Sequence, residues 1–170
     1  MYKSYFEIST VKSYERRKNT DSYWHSKSED FLYSASILWD NLEKGGSWDV
    51  YKMLMGLVFE LLFKAICVQK ETKFDYGHDL RKLAEFAQVE LSEEEKDILD
   101  ILTEYIIWDA KYPVPKKPSK LQKHWQKQHK CLNDVYSEAD NLALATYNHK
   151  LDWGYLHPFW LRLSESYQFN

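Results

Sequence analysis

Glycine and proline are scarce in this chain, at 5 and 4 of 170 residues. That is too few tight-turn signals for a β-sandwich or barrel. Cysteine is scarcer. Cys67 and Cys131 form neither a C-x-x-C pair nor a metal-ligand spacing, which excludes a disulfide framework and a zinc ribbon. No glycine-rich phosphate loop, H-E-x-x-H helix or nucleophile elbow is present. No spacing of serine, histidine and acid proposes a triad. No long apolar run is free of charge. The longest, residues 50–68, carries Lys52, Glu60 and Lys64, each costing about 2.5–3.5 kcal/mol at a bilayer centre. It therefore reads as a buried core helix, not a membrane span. Residues 1–18 are charged throughout and hold no apolar signal core. These absences predict a cytoplasmic protein with no membrane partner, no metal site and no cofactor.

What is present is helical pattern and aromatic content. One domain is expected at this length. With 44% hydrophobic and 29% charged residues it can bury a core and stay in solution. Residues 1–20 lack a clear period and read as an arm, either extended or a short irregular helix. Thr20, Asp21 and Ser22 are cap candidates for a first helix to about residue 44, with Phe31, Ala35, Leu38 and Leu42 on one face. Gly45-Gly46 ends it. The second helix, about residues 48–70, is apolar nearly all round and so lies at the centre. A short third helix covers about 78–88. Ser92-Glu93-Glu94-Glu95 is a capping-box signature that opens a fourth, to about Trp108. A fifth is expected over much of 120–147. The aromatic-rich tail should pack on the bundle, with Pro158 opening one short final helix. No strand pattern stands out. The expected fold is all-α: an up-and-down bundle of four to five main helices over 21–147, with an N-terminal arm at 1–20 and a C-terminal extension at 148–170.

Three constellations could carry chemistry. Glu60 and Lys64 stand at i and i+4 in the favoured order for a helix ion pair; they are a structural pair, or Lys64 meets an anion. In Tyr76-Gly77-His78-Asp79-Leu80, Asp79 suits a helix cap, and His78 either packs into the turn or bonds a ligand. The third is residues 111–130. Lys111, Lys116, Lys117, Lys120, Lys123, Lys127 and Lys130 occur there with Tyr112 and Trp125 interleaved and no acid at all. Lysines beside a stacking ring suit single-stranded nucleic acid or nucleotides; the plainer reading is a solvated helix face.

Several pieces in this order resemble the HEPN domain family. They are Ser28-Glu29-Asp30-Phe31-Leu32 with Ala35 and Leu38, Phe59-Glu60-Leu61-Leu62-Phe63-Lys64-Ala65-Ile66, Gly77-His78-Asp79-Leu80 with Leu83, and Tyr105 with Lys111-Tyr112-Pro113. The resemblance covers roughly residues 22–113. It implies a bundle of four or five helices, commonly a homodimer. It also implies either a metal-independent endoribonuclease of defence or toxin–antitoxin systems, or a nucleotide- or RNA-binding partner of a small nucleotidyltransferase. The ribonuclease members carry Arg followed four to six residues later by His. Arg16, Arg17, Arg81 and Arg162 have no such histidine. No catalytic residue is therefore assigned. The expected function is nucleotide or RNA binding through Glu60, Lys64, His78, Lys111, Tyr112, Lys116, Lys117, Lys120, Lys123 and Trp125. The alternatives are an endoribonuclease with a non-standard site and a protein-interaction or dimerisation module.

Overall fold

A computed structural model describes residues 4–139 and 142–168. The 15 residues of α1 (Tyr5–Asn19) form a regular helix, where an extended arm or a short irregular helix was expected. A reciprocal capping box explains it: the Glu7 amide donates to Ser4 Oγ and the Ser4 amide to the Glu7 carboxylate. No residue of α1 is buried. Helix α2 (Asp21–Trp39) follows, then a 3₁₀ turn at Leu42–Lys44 that closes on left-handed Gly45.

Helix α3 (Trp48–Gln69) is capped by Ser47 and is the centre of the bundle, as its all-round apolarity predicts. It packs against α2, α4 (Leu80–Phe86), α5 (Glu93–Glu104), a π-helical turn (Tyr105–Asp109) and the last helix. Tyr51, Met55, Phe59, Leu62, Phe63 and Ile66 are fully buried along it. Gly56 sets the approach of the π-turn: an added Cβ would lie 2.7 Å from Ile106 Cγ1. The Ser92 capping box opens α5 as its sequence signature predicts.

Two expectations about the C-terminal third are corrected. The fifth helix does not extend to Tyr147. Helix α6 (Pro118–Leu132) stops at an extended Asn133, and the chain forms an antiparallel hairpin of β1 (Asn133–Ala139) and β2 (Leu142–Tyr147). The returning Asn148 caps the open end of α6, its side chain donating to Cys131 O and its amide to Leu132 O. The final helix, α7 (Trp153–Ser164), begins five residues before Pro158 and holds that proline inside it. The carbonyl that a Pro158 N–H would have reached is that of exposed Gly154, where water can replace the missing donor. Leu156, Phe159, Trp160 and Leu163 of α7 enter the core. Ser28 joins three helices by donating to Val58 O while accepting from Trp160 Nε1. Among the described residues the architecture is all-α apart from that hairpin.

Candidate nucleotide and RNA interface

Helix α6 binds the bundle through polar side chains. Its inner stripe is Leu121, His124, Gln128 and Leu132, and only His124 and Leu132 are buried. Below that stripe, Lys127 sits between Asp97 and Asp100 of α5, and Arg81 of α4 meets the same two carboxylates at 3.1 and 2.6 Å. Burial opposes charge on Asp97, but the hydrogen bond and charge of Lys127, with the Cys131 hydrogen bond and the Lys130 charge, together outweigh it and hold the carboxyl below its ordinary range. Burial likewise opposes the Lys127 ammonium, and the hydrogen bonds and charges of Asp100 and Asp97 together reverse the direction, raising its pKa.

The other end of α6 differs. The π-turn, the proline loop and the first turn of α6 enclose a groove of 840 Å³. Tyr112, Lys116, Lys117 and Lys120 line it with Trp108 and Val114, and no acid does. Lys120 also pairs with Glu104 at 3.1 Å. Pro118 occupies the first position of α6, and no side chain caps that end. The positive end of the helix dipole therefore adds to the lysine charge. Such a surface supplies cations for phosphate and ring faces for a base.

Four of the ten sequence-assigned residues thus converge. Lys111 is exposed but does not line the groove, and Lys123 and Trp125 lie further along α6, also exposed. Glu60, Lys64 and His78 form a separate cluster. Lys64 Nζ lies 2.6 Å from Glu60 Oε1, and His78 Nδ1 lies 2.8 Å from Glu60 Oε2. Glu60 and Lys64 are buried, with side chains 6% and 4% exposed, while His78 is half exposed. One carboxylate there neutralises a buried ammonium and anchors the turn before α4, which is first of all a structural arrangement.

Sequence reasoning missed a polar network behind the groove wall. His124 Nε2 lies 3.0 Å from Asp109 Oδ2, with its side chain 1% exposed. Its ring meets Tyr105 and Trp108 edge-on. The Tyr105 hydroxyl accepts from Lys52 Nζ at 3.0 Å and Gln128 Nε2 at 2.9 Å. Burial, then the Asp109 and Asp49 charges, push the Tyr105 phenol far above its ordinary pKa, so it stays protonated. The π-turn gathers Tyr105, Trp108 and Asp109 toward α6, a use to which π-helical turns are often put. The available signal was the spacing of His124 and Gln128 within an otherwise apolar inner stripe.

Residues 22–141 match the family model described as HEPN domain, and the chain belongs to that family. No curated protein and no solved structure matches it. Among the described residues, no helix is long and apolar enough to cross a membrane.

Proposed function

We propose that this HEPN-domain chain binds RNA or nucleotide through the α6 groove and does not cleave it. One observation carries the reading: Tyr112, Lys116, Lys117 and Lys120 converge on one groove whose lining has no carboxylate. Phosphates would meet the lysines and the open first turn of α6, and a base would stack on an exposed ring.

The positions of two histidines and two arginines support the reading without cleavage. General acid–base work on a ribose hydroxyl needs a histidine within hydrogen-bond reach of it. His124 is buried behind the groove wall, and the exposed His78 is bonded to Glu60. Of the arginines, Arg81 is held by Asp97 and Asp100 and Arg162 by Glu95. Neither is free to stabilise a phosphorane. In this reading the chain acts as a homodimer beside a small nucleotidyltransferase, in a defence or toxin–antitoxin setting.

The test is a titration of a labelled oligoribonucleotide, and separately of a mononucleotide, into the intact chain. Oligonucleotide affinity should fall with salt at a log–log slope of about −2, roughly −0.7 for each of three engaged phosphates. The absence of binding by either ligand at low salt would overturn the proposal. So would RNA fragmentation by the purified chain without added metal.

A further inference from the structure

A second cleft, sharing no residue with the groove, lies where α1 meets the loop between α3 and α4. It measures 600 Å³, and Lys18, Asn19, Lys73, Phe74 and Tyr76 line it with one acid, Glu71. Its rings are an ordered set. Phe74 stands edge-on to Trp24 at 5.8 Å, and Tyr76 lies 5.5 Å from Phe74 and 6.2 Å from Trp24. The buried Lys64 ammonium sits 5.9 Å from the Tyr76 ring and 6.0 Å from the Trp24 ring, a cation–π contact that fixes both.

The segment presenting Tyr76 is pinned on both sides. The Gly77 amide and Lys82 Nζ both donate to Asp75, and His78 is held by Glu60. The Lys82 hydrogen bond, then that of Gly77, lowers the pKa of Asp75 and keeps the latch ionised. Trp24 Nε1 in turn donates to Lys18 O, which fixes the end of α1 at the mouth of the cleft. Tyr76 is 57% exposed, although its neighbours hold it in place. An ordered, exposed ring gives up little conformational freedom when it stacks on a ligand.

The lining carries two cations, Lys18 and Lys73, against the single acid Glu71. Among the described residues, neither lysine has an ion-pair partner. Helix α1 buries nothing of its own, and it precedes residue 22, where the family match begins.

We infer that this cleft is a second binding site for a base-plus-phosphate unit, with the base on Tyr76 and the phosphate between Lys18 and Lys73. The inference rests on the nucleotide-or-RNA reading for the class of ligand, but not on the groove. It assigns Lys64, Glu60 and His78 a positioning role behind the rings.

The test compares three variants of the full chain: Lys18→Gln/Lys73→Gln, Tyr76→Ser, and the groove variant Lys116→Gln/Lys117→Gln. Each is titrated with an oligouridylate, with an oligonucleotide carrying 2-aminopurine, and with a free mononucleotide. The first variant should weaken binding about tenfold at low salt and flatten the salt slope by about 0.7, one phosphate's worth. Tyr76→Ser should reduce the quenching of 2-aminopurine without changing the slope. Loss with the oligonucleotide alone marks a strand as the ligand; loss with the mononucleotide as well marks a free nucleotide, and both support the site. Wild-type behaviour of both cleft variants, with loss in the groove variant, overturns this inference and leaves the proposed groove standing. The reverse pattern removes the groove and keeps the cleft. No binding by the unaltered chain removes both.

Discussion

Lysine does opposite work at two places in this protein. Lys64 is sealed inside the bundle, where the low dielectric makes an unpaired ammonium very costly, and Glu60 on the same helix compensates it. Lys116 and Lys117 stand in water at the foot of α6 with no acid lining their groove. The interior lysine therefore contributes to the fold, whereas the exposed ones are left with unspent charge. A third lysine falls between these extremes: Lys127, partly exposed, meets Asp97 and Asp100 from a different helix. The difference separates charge that holds the protein together from charge available to a partner.

The largest effect should come from breaking the interior pair. Glu60→Gln keeps the shape of the side chain and leaves Lys64 uncompensated, which costs about 3–5 kcal/mol. For a chain of this size that is a fall in Tm on the order of 10 °C. Adding Lys64→Met should recover most of the loss, because it removes the uncompensated buried ammonium. Thermal unfolding of the two variants checks both statements. If Glu60→Gln melts like the unaltered chain, the contrast between sealed and open lysines collapses.

Lys116→Gln/Lys117→Gln should show the inverse pattern. Its stability should stay within about 0.5 kcal/mol of the parent, as for exposed side chains generally. Its affinity for a labelled oligoribonucleotide should fall about tenfold at low salt, with the salt slope shallower by about 1.4. Calorimetric unfolding and anisotropy titration on one preparation would show whether stability and binding separate this way.

The intermediate case can be read through pH. Asp97 is held below its ordinary pKa, so its contribution to stability is fully present above the unfolded value of about 3.9 and is lost as pH falls through the lower folded value. Asp97→Asn should cost about 1 kcal/mol near neutrality, since Arg81 and Lys127 are roughly a third exposed and solvent screens them. The gap between parent and variant should close as the solution is acidified below pH 4. Denaturant melts across that range test it; a gap that stays constant would show that the Asp97 charge plays no part.

Much of the bundle could be read in advance because its determinants are local. The Ser92 capping box and the apolar circumference of α3 each specify structure within a few residues, whereas the first helix, expected to run to Gly45-Gly46, stops at Trp39. The hairpin after Leu132 depended instead on Asn148 returning to cap α6, a partner 16 residues away in sequence. Helix α1 was missed because Ser4 and Glu7 cap a stretch with no apolar period. The lysine run shows the same limit for the site. Residues 111–130 contain no acid, yet Lys127 is neutralised by Asp97 and Asp100 and Lys120 pairs with Glu104. Chain order could not show which lysines remain free, because their carboxylates come from α5.

The smallest expected effect concerns His124, and it bears most directly on whether the protein is a binder or a nuclease. Its Nε2 lies 3.0 Å from Asp109 Oδ2 and 2.9 Å from Gln128 Nε2, while Nδ1 is buried without a hydrogen-bond partner. A buried unsatisfied group costs about 1–3 kcal/mol, and a hydrogen bond to a charged acceptor returns a similar amount. His124→Leu removes the unsatisfied nitrogen together with the contact to Asp109. The net change in stability should lie within about 1 kcal/mol, and oligonucleotide affinity should hold within a factor of two. If instead the parent slowly cleaves RNA and His124→Leu abolishes cleavage with the fold intact, the histidine reaches substrate through an opened groove wall. The exposed lysines would then belong to an enzyme's substrate channel, and the separation between structural and available charge would no longer run along the surface of α6.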